Sequence, residues 1–373
     1  MRATRAERAR RGAERVTTTE RRSGFTLVEL MVASGLLVIL SLAVFQFLRR
    51  FTTLWQKSEE RRELVEEASG VTELFAEDLA SLVNGPRGDL VAEWVFFDTD
   101  GDDVPETMWP RVRMLRFATE SELARLQAGL DAAKKKHAGE GVLEVAWLVM
   151  PAYVGKNEPD RRSEGIVMRG ERLQGGEGLS FFEPGFFDAA NRPRQTPNEV
   201  SGGVLWFGLE FATQTSLVFD GWKVGEELSD VATSWDAWNR GRPSADRHFW
   251  NEPGKGMPKA GERALLPRRV RLTLEIERAD DRKRRTRLSA PMASTDTTIE
   301  VEDGSRVPDS RGAFVRIDAE WLEVVQVDDR TVTVRRGARG SNPVGHANGA
   351  LVHYGRQVVR EVPVRMHQED WNL

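Results

Sequence analysis

The chain has 373 residues, with 54 Lys and Arg against 58 Asp and Glu, a net charge of −4 and no cysteine. That length allows roughly two domains of about 100–200 residues each beyond an anchoring helix. The balanced, slightly acidic charge excludes a global nucleic-acid-binding surface, and the absent cysteines exclude a disulfide framework and thiolate metal or redox chemistry.

Residues 1–24 hold eight Arg and three Glu, a basic stretch that should stay cytoplasmic. From Phe25 to Leu48 the only formally charged residue is Glu29, and the rest is mostly Leu, Val, Ala and Phe. Such a segment is long enough to cross the roughly 30 Å hydrocarbon core as a helix. A carboxylate costs about 2.5–3.5 kcal/mol at mid-membrane and less near the edge. It therefore calls for a partner, and no other residue of the segment is read as supplying one. An ordinary secretory signal has a shorter apolar core followed by a small-residue cleavage site, and neither is present. No second membrane-length segment follows, so everything after Leu48 should lie on one side of the membrane.

The basic leader, Gly24 and the run Phe25-Thr26-Leu27-Val28-Glu29 resemble the class III signal of type IV prepilins, the family of type IV pilins and type II secretion pseudopilins. The resemblance implies that a prepilin peptidase cuts after Gly24 and that the new amine, on Phe25, is methylated. It also implies that Glu29 pairs with the amine of a neighbouring subunit during assembly. A plain membrane anchor is the alternative.

Beyond the apolar segment, Phe51, Leu54, Trp55, Leu64, Val65, Ala68, Val71, Leu74, Phe75, Leu79 and Leu82 recur at three- and four-residue steps between charged residues, so the helix should continue as an amphipathic half over 49–84. Asn84-Gly85-Pro86 supplies the stop. Strands are expected at Val91–Phe97, Arg111–Phe117, Val142–Pro151, Ile166–Arg172 and Val204–Thr213, with a helix at Glu120–His137 and a long Gly- and Pro-rich surface loop over 173–203. In Arg269–Glu277, Val270, Leu272, Leu274 and Ile276 alternate with polar residues, the pattern of a half-buried strand. Val362, Val364 and Met366 alternate likewise and form its natural partner. Between the two lies a predicted small all-β inserted domain, 288–356, with strands Thr298–Val301, Phe314–Ile317, Trp321–Val327 and Thr331–Val334. Its removal should leave the first body, 85–287 with 357–373, folded. The whole reads as α+β: a long N-terminal helix, half membrane and half amphipathic, packed on an antiparallel β head that carries the insert.

In order, Leu74–Leu82, Arg111–Phe117, Leu205–Phe211, the loop of Trp222 and Trp235, and Leu266–Leu274 resemble the minor pseudopilin J of type II secretion. Residues 336–349 resemble small β modules of phage tail and virion proteins. The first resemblance implies a structural subunit near the tip of a periplasmic pseudopilus. Its partners would be other minor pseudopilins or pilins, an inner-membrane assembly platform and membrane lipid, with the N-terminus cytoplasmic and the head periplasmic. A PilW-like minor pilin of a type IV pilus, serving tip initiation, adhesion or DNA uptake, is an alternative. So is a membrane-anchored binding protein outside any filament.

Three further constellations stand out. Asp98, Asp100 and Asp102 place carboxylates at alternate positions, as an oxygen-seeking cation such as calcium requires; a solvated acidic turn fits the same residues. Asp103 stands where an EF-hand needs Gly, and Trp109 where it needs a bidentate Glu. Arg278–Arg287 is a basic run, read as a solvated connector rather than a phosphate or nucleic-acid site. Trp222, Trp235, Trp238 and Trp250 are read as packing a long loop, with a partner surface as the alternative. The histidines (His137, His248, His346, His353, His367) form no ligand pair, and no nucleophile elbow, phosphate loop or dinucleotide fingerprint occurs. No catalytic residue and no required cofactor are expected.

Overall fold

The computed structural model describes residues 26–99, 101, 103–128, 141–155, 161, 163–176, 178–187, 197–212, 231–238, 264–309 and 312–365. The leader, Met366, Trp222, Trp250 and residues 129–137 of the expected second helix lie outside that range, as do His137, His248 and His367.

Helix α1 runs without a break over Leu27–Ala80. Its first part, Leu27–Thr52, is membrane-length and apolar, with none of it buried within the chain. Residues Arg61–Leu373 form one compact unit holding both sheets. Within that unit α1 buries Leu64, Ala68, Val71, Phe75 and Leu79, the three- and four-residue stripe of the sequence. The helix ends at Ala80, four residues before Asn84. The cause is strand-like pairing: Val83 N–H donates to Leu115 O (2.9 Å) and Phe117 N–H to Ser81 O (2.8 Å), drawing the chain out of the helix.

Among the described residues one sheet is antiparallel throughout, in the order β14-β8-β5-β4-β3-β2-β1-β7 with β6 paired to β5. Its strands are β1 Leu90–Phe97, β2 Thr107–Phe117, β3 Val142–Pro151, β4 Gly165–Leu173, β5 Asn198–Ala212, β6 Val231–Ala232, β7 Trp235–Asp236, β8 Arg269–Ile276 and β14 Arg356–Pro363. Strand β2 begins four residues before the expected Arg111 and includes Pro110. The β2–β3 ladder stops at Arg111↔Leu148, so Pro110 pairs only with β1 and its missing N–H costs no second ladder. Helix α2 covers Glu120–Gln127, opened by a reciprocal Thr119–Glu122 capping box.

Both faces of this sheet are covered. On one, Phe75 of α1 meets Trp147 (5.3 Å, 81°) and Phe207 (5.7 Å, 86°) edge-on. On the other, Phe181 and Phe186 cover Ala146 and Leu148, so the expected surface loop is partly a lid with a buried aromatic pair. That double cover explains why Val142–Val149 is buried at every position.

The second sheet, β13-β10-β11-β12-β9, comprises β9 Thr298–Glu300, β10 Phe314–Ile317, β11 Glu320–Asp328, β12 Thr331–Ala338 and β13 Val352–His353. It sits in the chain between β8 and β14, which pair across the full register Arg356↔Ile276 to Pro363↔Arg269. It has its own core of Leu288, Ile299, Val301, Val315, Ile317, Leu322 and Val332. It also shares a cluster with the first sheet, in which Trp94, Leu205 and Trp206 pack against Trp321 and Ala338. A bulge between Val204 and Trp206 turns both Leu205 and Trp206 away from the helix face. The half-buried reading of β8 holds from Arg269 to Leu274 and fails at its end. Glu275 and Glu277, on its supposed solvent side, are buried at this junction.

Candidate functional site

The first site is the start of α1. Thr26 is the N-cap and Glu29 the third helical residue. Glu29 Oε2 accepts from Thr26 N–H (2.9 Å) and Thr26 Oγ1–H (3.0 Å), and Glu29 N–H donates to Thr26 Oγ1 (3.2 Å). This is a capping box, which satisfies helix-end donors reciprocally. It corrects the expectation that the segment holds no partner for Glu29; the spacing Thr26-x-x-Glu29 was the available signal. Both bonds to the carboxylate fall on Oε2. Among the described residues Oε1 receives none, and Glu29 is exposed at the helix start. Gly24 and Phe25 lie outside the described residues.

The acidic turn is organised by its own side chains. Asp98 accepts from Gly101 N–H (2.6 Å) and Asp103 N–H (2.9 Å), with Gly101 at φ +82° and Asp103 at φ +65°. Glu106 accepts from Thr99 N–H (2.8 Å) and Thr99 Oγ1–H (2.9 Å). Asp100 and Asp102 lie outside the described residues, among which no group of three His, Asp or Glu has metal-binding geometry.

The basic run is engaged in ion pairs. Arg278 pairs with Glu63 (2.7 Å), Lys283 with Asp280 (2.8 Å), Arg285 with Glu277 (2.6 Å), and Arg282 with Glu164. Burial pushes the Glu164 carboxyl above its ordinary range, against the pull of Arg282. Trp235 is buried and donates to Leu265 O (2.8 Å), while Trp238 donates to Gly88 O (2.9 Å); both pack the head.

Sequence reasoning missed two buried polar centres. At the junction of the sheets, Arg339 (φ +53°) donates to Glu275 Oε2 (2.8 Å) and lies over Trp321 (4.0 Å), Phe314 (4.4 Å) and Trp206 (5.0 Å). Glu275 also accepts from Gly355 N–H (2.8 Å), and Arg316 donates to Leu205 O (2.8 Å). His353 Nδ1 lies 2.6 Å from Glu277. In the second sheet, Glu320 accepts from both Arg336 Nε and its terminal nitrogen (2.6 Å each), from Val344 N–H (3.1 Å) and from Gly337 N–H (3.2 Å). The ring of His346 lies 2.9 Å from Glu320 through Nε2 and 2.8 Å from Asp318 through Nδ1. Burial favours a neutral Glu320, but Arg336, His346 and the two backbone donors outweigh it and hold the carboxyl at about 2. Burial likewise opposes charge on His346, yet its two carboxylate partners raise it above the ordinary value. Both ring nitrogens face carboxylates, so the cationic ring fits best. These centres build the fold; neither carries an arrangement of nucleophile, base and oxyanion donors.

A family model for the prokaryotic N-terminal methylation motif matches residues 20–45. No curated protein matches the chain. The matched motif and the apolar helix behind it support a type IV prepilin-like protein anchored in a membrane by its N-terminal helix. Prepilin peptidase processing and assembly with other pilin-like subunits follow from the motif.

Proposed function

We propose that the chain is a minor pseudopilin of a type II secretion system, of the J kind, cut after Gly24, methylated on Phe25 and built into the periplasmic pseudopilus near its tip. The observation that carries this reading is Glu29. An exposed carboxylate oxygen at the head of an otherwise apolar helix is costly in lipid, and it becomes useful once a neighbouring subunit brings its N-terminal amine. The antiparallel head with α1 against one face supports the J-like part, as does the chain order of its pieces. In this reading the leader is cytoplasmic, the head periplasmic and the membrane the inner one. The partners are other minor pseudopilins and the assembly platform.

A clean deletion in the native host tests it, scored for secreted proteins and for surface pili with twitching. Lost secretion with intact pili supports the pseudopilin. Lost pili with normal secretion would transfer the chain to a PilW-like minor pilin. Both intact would leave an anchored binding protein.

A further inference from the structure

The far end of the apolar span carries a feature that neither signal nor head uses. Membrane-length residues run over Leu27–Thr52. Crossing the hydrocarbon core takes about 20 residues, which puts the outer boundary near Gln46. Arg49 and Arg50 follow within one turn, and with Gln46 and Leu54 they line a shallow recess on the helix. At 3.6 residues per turn, Gln46, Arg49 and Arg50 share one face. Phe47, Phe51 and Trp55 share another, where Phe47 stacks on Phe51 (6.3 Å, 20°) and Trp55 lies tilted beside Phe51 (6.2 Å, 39°). All three rings are exposed, as is Leu54. Trp is enriched at membrane–water interfaces, and Trp55 is the residue of this series with that preference. No Asp or Glu lies in the sequence between Glu29 and Glu59, so the stretch around the two arginines is net basic. Two planar guanidiniums at the phosphate layer match phosphate oxygens bidentately, and the Gln46 amide can add a donor.

We propose that Arg49, Arg50 and Gln46 form a headgroup site for the phosphate of an anionic phospholipid in the extracytoplasmic leaflet, fixing the depth of the subunit in the membrane before assembly. The proposal rests on the membrane-anchored reading. Its test uses the full chain in vesicles of phosphatidylcholine with phosphatidylglycerol. Because the chain has no cysteine, a fluorophore on Thr52→Cys is unique. Its quenching by brominated phosphatidylglycerol is compared with quenching by brominated phosphatidylcholine.

The native arginines should favour the anionic lipid by about fivefold each, and the Arg49→Gln/Arg50→Gln chain should show a ratio near one. Equal quenching in the native chain, or an undiminished preference in the double variant, overturns the proposal. Displacement of the lipid by inorganic phosphate at matched ionic strength overturns it in favour of a free-phosphate site. An unchanged lipid ratio with lost filament incorporation would assign the arginines to a neighbouring subunit's carboxylates. Vesicle flotation separates the two readings: a chain that floats without lipid preference sinks only the headgroup site, and one that fails to float sinks the anchor.

Discussion

Arg339→Met tests whether the two sheets fold as one body. Arg339 is buried, pairs with buried Glu275 at 2.8 Å and lies over three aromatic rings. Removing one partner of a buried pair costs about 3–5 kcal/mol. Loss of the desolvated cation–aromatic contacts adds about 2 kcal/mol, and methionine's own aromatic contacts return up to about 1.5 kcal/mol. The left-handed backbone at Arg339 disfavours Arg and Met alike, so it cancels. Glu275 keeps the Gly355 N–H, which holds the net near 4 kcal/mol. With a urea slope of about 3 kcal/mol/M, the midpoint should fall by about 1.3 M. The assay is urea unfolding of the chain in detergent, followed by tryptophan emission. Arg339→Met/Glu275→Gln should recover part of the loss, because the stranded carboxylate goes with its partner, while buried Arg316 gives up the pull of Glu275. A single-variant loss under about 1 kcal/mol, or no recovery in the pair, would refute the reasoning.

Three other perturbations follow from the same packing. Asp78 is buried on α1 and accepts from Trp147 Nε1 (2.7 Å) and from Arg169 Nε and its terminal nitrogen (2.8 Å each), with Arg116 Nε at 2.8 Å. Asp78→Ala leaves the buried Trp147 Nε1–H without its acceptor and removes one of the carboxylates shared by Arg116 and Arg169, which keep Glu122 and Glu171; it should cost about 3 kcal/mol, and a midpoint like wild type would contradict that. Stability of the second sheet should peak in mildly acidic solution, as a pH series of thermal melts would measure. His346 is raised when folded, so its contribution is complete below its ordinary value of about 6.5 and is lost as pH rises through the folded one. Glu320 is lowered to about 2, so its contribution is present above about 4.5 and lost as pH falls toward 2. His346→Gln should flatten the alkaline limb, and an unaltered limb would refute the assignment. Deleting 288–356 uncovers Trp94 and Trp206. If about 100 Å² of each returns to water, the loss is about 5 kcal/mol at about 25 cal/mol per Å². Limited proteolysis of the deletion should reveal a loosened head, against the sequence expectation that it stays intact.

What the sequence made legible was whatever depends on period. The apolar run over Leu27–Leu48, the Leu64–Leu79 stripe and the alternation from Arg269 to Leu274 each follow a single period, and each is found where the pattern put it. The pairing of β8 with the C-terminal strand was legible for the same reason. Less legible was whatever depends on a second cover. Glu275 and Glu277 alternate like solvent residues, and burial is made tolerable by Arg339 and His353 from distant sequence and by Arg285 from the following turn. Asp78 reads as one more charge on an amphipathic helix until Arg116 and Arg169 arrive from two strands. The helix end was misplaced because pairing to β2, a long-range event, ended it before the local stop signal. At the assembly site, Glu29 was legible as a costly charge, whereas its bond to Thr26 went unread despite a local spacing that encodes it.

The measurement that bears most directly on the central claim is incorporation of Glu29→Ala. Mass spectrometry of the N-terminal peptide would report processing, and co-sedimentation with the filament fraction would report assembly. Both chains should begin at methylated Phe25, because cleavage depends on Gly24, while the variant should be largely absent from filaments. Incorporation equal to that of the native chain would contradict it.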